Sequence, residues 1–175
     1  RPYIDLDDYG DSAIFKLPRY WNQAVEKFGE DSLNAHGILP WHIQRVYFQL
    51  KEAFLLNDPD RILRISADLG HYVADAHVPL HTTKNYDGQL ANQVGIHGFW
   101  ESRVPELLAE TAFDFFIGKA EYIQNPGDFI WKRVLESARA ADTVLTYERE
   151  LSKKFADDKK YAFEERNGKT IRQYS

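Results

Sequence analysis

The segment GHYVADAHVPLH, residues 70–81, decides how this chain is read. Its apolar positions extend a stripe of Ile62, Ile65, Leu69, Tyr72 and Ala76, a spacing that predicts an α-helix with one buried face. His71 and Asp75 sit four residues apart at the edge of that stripe. On a helix this spacing stacks both side chains on one side, close enough to share an ion. Pro79 disfavours helical backbone at Val78, so the helix ends there and the chain turns back to deliver His81. Shortly afterwards GIHGFWE, residues 95–101, repeats the four-residue spacing with His97 and Glu101. Imidazole beside hard carboxylate, in a chain without cysteine, points to zinc or a similar divalent metal. A metal-dependent hydrolase is the working expectation.

Working outward, helices dominate. Asn57-Asp58-Pro59 breaks one helix and starts the next, with Asp58 as its cap and Pro59 at its first position. Upstream, Pro40 opens a long helix carrying Ile43, Val46, Tyr47, Leu50, Ala53 and Phe54, and Trp21, Ala24, Val25 and Phe28 mark a short one stopped by Gly29. Downstream, residues 131–155 form the longest helix, with Trp131, Val134, Leu135, Ala138, Ala141, Leu145 and Leu151 facing inward. Pro105 cannot donate a hydrogen bond to the Glu101 carbonyl, which predicts a kink or restart after Glu101. Asp5, Asp7, Asp8 and Asp11 make the opening an acidic, solvated loop. Residues 161–165 and 170–174, flanking Asn167-Gly168, predict a β-hairpin with a type I′ turn. The expected fold class is all-α, a single helical domain over residues 1–175 with a C-terminal β-hairpin.

Composition narrows the function classes. A net charge of −5 argues against a broad, sequence-independent nucleic-acid footprint, which needs clustered Lys and Arg. A metal cluster still binds phosphate locally, because bound ions are the largest charges in such a site. No apolar run approaches the ~18 residues a membrane helix requires. Residues 82–95 are polar and rich in Gly and Asn, as a site-lining loop is, and place Lys84, Asn85 and Asn92 where they could touch substrate. Each histidine also has a dull reading, since a single buried imidazole is more often a hydrogen-bonded core group than a ligand. His77, turned about 200° from the His71 face, takes that reading, as do His36 and His42, which have no partner at ligand spacing. The His71, Asp75, His81, His97 and Glu101 set, within 31 positions, does not.

HYVADAHVPLH followed by HGFWE resembles the metal core of the bacterial zinc-dependent phospholipase C and single-strand-specific zinc nuclease superfamily. The pattern is His-x3-Asp-x5-His, then His-x3-Asp or Glu, and His71, Asp75, His81, His97 and Glu101 match all five positions. RPYIDLDDYG, PRYWNQAVEKFG and LPWHIQ are also similar to bacterial members. The resemblance implies an all-α fold, up to three zinc ions, and hydrolysis of phosphodiester or phosphomonoester bonds in an exported protein. It makes His81, His97 and Glu101 the ligands of one zinc, His71 a ligand of a second, and Asp75 a bridge between metals that helps activate water. The substrate it implies is a phospholipid headgroup or single-stranded nucleic acid, with Asn85 and Asn92 as contacts. Glu101 resembles the phospholipases more than the nucleases, which usually carry Asp there.

The chain also departs from that pattern. Family members begin with a Trp whose amino group binds zinc, followed by another His, an upstream Asp and a His in a His-aromatic-x-Asp segment. The RPYID segment has Pro2 where that His belongs, and Arg1 starts too late for the others. Bacterial relatives continue past the hairpin into another long helix. By that comparison the chain is either incomplete at both ends or a degenerate member, with one three-ligand site whole. Three expectations follow: a zinc phosphoesterase, a non-catalytic protein in which one zinc staples two helices, or a helical domain without metal. Titrating zinc while following phosphodiester hydrolysis separates them.

Overall fold

The computed structural model describes residues 3–10, 16–156, 159 and 161–174. Pro2, where the family pattern has His, and Asp11 lie outside the described residues. The chain is mostly helical and divides into two compact units. The first comprises the described part of residues 1–84 with 123–141, and the second comprises residues 85–122 with the described part of 142–175.

In the first unit, a 3-10 turn at Leu6–Tyr9 precedes α1 (Trp21–Phe28), α2 (Glu30–His36), α3 (Leu39–Leu55) and α4 (Pro59–Asp75). Gly29 ends α1 at φ 78°, a left-handed geometry that glycine adopts without penalty. Helix α2 is an addition to the sequence reading, since EDSLNAH buries only Leu33 and carries no periodic stripe. The two long helices pack side by side, with Val46 and Ala53 of α3 against Ile65 of α4. Asp58 caps α4 as expected, its Oδ1 accepting the Arg61 N–H at 3.0 Å. The far end of α4 is finished from another part of the chain: the buried Ser137 hydroxyl donates to the Ala76 carbonyl at 2.9 Å. That bond fixes the turn carrying Asp75. The core is aromatic at its centre, with Trp41 edge-on to both Trp21, at 5.9 Å, and Trp131, at 5.1 Å.

The described part of the opening, residues 3–10, is no solvated loop. Ile4 and Leu6 are buried in the core, and the backbone is laced to two other segments. Leu39 N–H donates to the Tyr3 carbonyl at 3.2 Å, Asp5 N–H to the His36 carbonyl at 2.8 Å, and Ile4 N–H to the His81 carbonyl at 2.9 Å. A Cβ at Gly37 would collide with the Tyr3 backbone, so this approach requires glycine.

Helix α7 (Pro126–Ser152) starts five residues before the expected boundary and contributes residues 126–141 to the first unit and 142–152 to the second. Leu145 is buried as expected, but Leu151 is 55% exposed and does not face inward. The second unit also holds α5 (Ile96–Gly98), α6 (Val104–Ala112) and the hairpin β1 (Tyr161–Arg166) and β2 (Lys169–Tyr174). The strands pair antiparallel from Tyr161 opposite Tyr174 to Arg166 opposite Lys169. Asn167 and Gly168 both adopt positive φ, 51° and 72°, as the type I′ turn demands. The hairpin is anchored by the Tyr161 hydroxyl, which donates to the Val94 carbonyl at 2.9 Å. Among the described residues, no helix is long and apolar enough to cross a membrane.

Candidate metal centre

Helix α4 delivers Asp75 into the interior. It is 7% exposed, whereas His71, one turn earlier, sits at the surface. The helix stops one residue later, at Ala76, and Val78 is extended (φ −90°, ψ 116°), as Pro79 demands. A 3-10 turn, Pro79–Thr82, then brings His81 back against Asp75. The two carboxylate oxygens divide between the two rings: Asp75 Oδ2 lies 3.3 Å from His71 Nε2, and Oδ1 lies 3.5 Å from His81 Nδ1.

In the second unit, His97 sits in the first turn of a helix that continues through Glu101, with His97 Nε2 and Glu101 Oε1 3.4 Å apart. Gly95, at φ 105°, opens this helix, and Asp87 Oδ1 accepts the backbone N–H groups of Gly95 at 3.1 Å and His97 at 3.3 Å. The carboxylate thus caps the start of the helix and steadies the His97 backbone. The helix restarts at Val104, with Pro105 in its first turn, as expected. Phe99–Arg103 forms a π turn, with the Val104 N–H bonded to the Phe99 carbonyl, and α6 follows without a gap. A π turn absorbs the proline's missing donor while keeping His97 and Glu101 side by side.

These donor separations carry chemical information. A direct N–H···O bond spans about 2.7–3.2 Å. Four ligands at 2.0–2.1 Å around a tetrahedral ion stand about 3.3–3.4 Å apart. The His71–Asp75, His81–Asp75 and His97–Glu101 pairs, at 3.3, 3.5 and 3.4 Å, follow the second spacing. The His36–Asp8 pair, at 2.9 Å, follows the first. The imidazole and carboxylate donors are of a type a divalent ion accepts, and the separation of each pair is compatible with one. No family model matches the chain, and neither a curated protein nor a solved structure does.

His81 is held by more than its own turn. The Thr83 hydroxyl donates to Asp7 Oδ2 at 2.8 Å, the Lys84 N–H to Asp7 Oδ1 at 3.1 Å, and the Lys84 ammonium to Asp8 at 3.0 Å. With Ile4 N–H on the His81 carbonyl, the acidic turn grips the loop on both sides of His81. Sequence reasoning missed this clamp, because its partners are 76 and 77 residues apart. If His81 holds zinc, Asp7→Ala is expected to lower zinc affinity by up to about 10-fold while the fold persists, less than the usual cost of losing a direct partner of a ligand, because Asp7 holds the chain beside His81 rather than its ring. Competition with a chromophoric chelator measures it, and unchanged affinity would remove Asp7 from the site.

The other histidines have local partners. His77 Nδ1 meets the Val73 carbonyl at 2.8 Å, and His42 packs edge-on against Tyr72 at 4.5 Å. His36, assigned no ligand-spaced partner from sequence, groups with Asp5 and Asp8, one donor atom from each lying within 4.8 Å of the others. The Lys84 ammonium and the His36 ring already meet Asp8, and the Lys84 ammonium holds its carboxyl below the usual range. Asp5 is different. Burial, reinforced by Asp7 and Asp8, pushes its carboxyl up to about 6.

A raised folded-state pKa means that ionised Asp5 opposes folding, fully above pH 6, with relief as pH falls towards the ordinary value near 3.8. Asp5→Asn is expected to raise the melting temperature by about 2–4 °C at pH 7.5. That is the effect of ~1 kcal/mol in a chain of this size once screening of a half-exposed carboxyl is allowed for. The gain should vanish by pH 4. A lower melting temperature at pH 7.5 in metal-free buffer would contradict this.

The loop residues serve the loop first. Asn85 Oδ1 accepts the Leu90 N–H at 2.7 Å, and Asn92 takes a left-handed conformation at φ 56°. The loop's floor is Gln93, 2% exposed, whose amide donates to the Leu145 carbonyl at 2.7 Å and to Glu148.

Proposed function

We propose that this chain carries the metal core of a zinc-dependent phosphoesterase that hydrolyses phosphodiester bonds, in the manner of a phospholipase C or a single-strand nuclease. The carrying observation is that the three His–carboxylate pairs within the His71, Asp75, His81, His97 and Glu101 set stand at separations compatible with a shared ion. The five-position motif supports the same reading. In it, His81, His97 and Glu101 would hold one zinc, His71 would hold a second, and Asp75 would bridge between metals. Bound divalent ions supply Lewis acidity towards a phosphoryl oxygen and lower the pKa of water.

The chain's own residues supply position and environment. Asp75 offers one oxygen towards each imidazole from a buried site, and its negative charge orients both rings. Asp7 and Ile4 fix the backbone around His81. Export follows from the resemblance and belongs to the same proposal.

Pro2 favours a second reading, in which the chain binds zinc without turnover, because it offers no donor where the pattern has His. Hydrolysis of bis(p-nitrophenyl) phosphate by the zinc-loaded protein separates the two. Turnover abolished by a chelator supports the enzyme. Stoichiometric zinc without turnover supports the second reading, and absence of zinc binding contradicts both.

A further inference from the structure

Within the first unit, a cleft of about 600 Å³ opens beside the start of α3, lined by Trp21, Trp41, His42, Arg45, Phe48 and Glu52 among others. It contains none of the His71, Asp75 or His81 side chains, and the proposed hydrolysis makes no use of it. Its volume lies in the range of small-molecule sites, and its walls are mainly apolar with a few polar groups, the usual make-up of such a site.

The wall is rigid. Trp41 is 5% exposed, its indole N–H donates to the Pro18 carbonyl at 3.1 Å, and its ring is held edge-on between Trp21 and Trp131. A preorganised aromatic wall costs a ligand little ordering entropy. Phe48, 63% exposed, stands at the rim.

The charge of the cleft is set by two residues. Glu52 is engaged by the Arg61 guanidinium at 2.9 Å, so its negative charge is already met. Arg45 donates to His42 Nδ1 at 2.7 Å. A guanidinium only donates, so Nδ1 accepts and the imidazole proton sits on Nε2. Burial, with Arg45 alongside, holds His42 below the ordinary imidazole value and keeps it neutral. The partner that steadies Arg45 therefore does not cancel its charge. Among the described residues, no carboxylate pairs with it. The cleft presents aromatic walls and one uncompensated, tethered cation.

We propose that this cleft binds a small aromatic monoanion, its ring body against Trp21 and Trp41 and its carboxylate on the Arg45 guanidinium. The site is independent of the metal centre. A guanidinium fork matches a carboxylate, and planar rings suit indole walls.

The test uses the full chain and 2-naphthoate, with 2-naphthamide as its uncharged counterpart. Titration is followed through the indole N–H resonances of the four tryptophans. Saturable binding of naphthoate that moves Trp21 and Trp41 but not Trp100 is expected. Arg45→Gln should weaken naphthoate about tenfold, the worth of one hydrogen bond to a charged group, and leave naphthamide unchanged. Arg45 is exposed, so this variant keeps the core intact. No saturable binding, equal movement of Trp100, or undiminished affinity in Arg45→Gln would each overturn the assignment. Tighter binding of decanoate than of naphthoate would overturn the aromatic body.

Discussion

Asp75→Asn is expected to reduce zinc affinity by more than about 100-fold, exceeding the cost of losing an outer partner of a ligand. The substitution preserves volume and changes charge. Asp75 presents one oxygen to His71 and the other to His81, so the amide replaces one of those acceptors with an N–H₂ donor. It also removes the negative charge from a position 7% exposed, where solvent compensates poorly. Far-UV circular dichroism should be unchanged, since the helix around Asp75 is held by the Asp58 cap and by Ser137 on the Ala76 carbonyl. Phosphodiester turnover in the zinc-loaded protein should fall in parallel with occupancy. Zinc affinity within a fewfold of the unsubstituted chain would remove Asp75 from the centre.

The second large effect is on pH. An imidazole binds a metal only when deprotonated, so protons compete with zinc at His71, His81 and His97. Below the ordinary imidazole value of about 6.5, each histidine ligand of one ion costs about tenfold in affinity per pH unit, or about 100-fold for two. The sign follows. Zinc-linked stabilisation should be greatest at neutral pH and fall as the pH is lowered. Equilibrium dialysis at pH 7.5, 6.5, 5.5 and 4.5 should show full occupancy at the first value and little at the last. Constant occupancy across this range would contradict a centre built on histidines.

Much of the local architecture was legible because proline, glycine and aspartate act over short distances. Asp58 caps α4, Pro79 ends the helical path at Val78, and Asn167-Gly168 turns the hairpin, each by a rule involving a few neighbours. The His71–Asp75 and His97–Glu101 pairings were legible for the same reason, since a four-residue helical spacing is local. The restart at Pro105 was legible too, because the loss of one N–H donor acts locally, although the π turn through which it occurs was not. The acidic opening was misread because its function depends on distant partners. Asp7 meets Thr83 and Lys84, Asp8 meets His36, and Ile4 meets the His81 carbonyl. Nothing near residue 7 announces a bond to residue 83. Leu151 continued the inner stripe on paper but lies on the exposed last turn of α7.

The most direct test of the central claim is zinc content per chain, by elemental mass spectrometry after zinc reconstitution and desalting at pH 7.5, with His81→Ala alongside. At least one tightly held zinc per chain, reduced in His81→Ala, is the predicted result. No retained zinc, or the same content in both proteins, would contradict a metal centre at these residues.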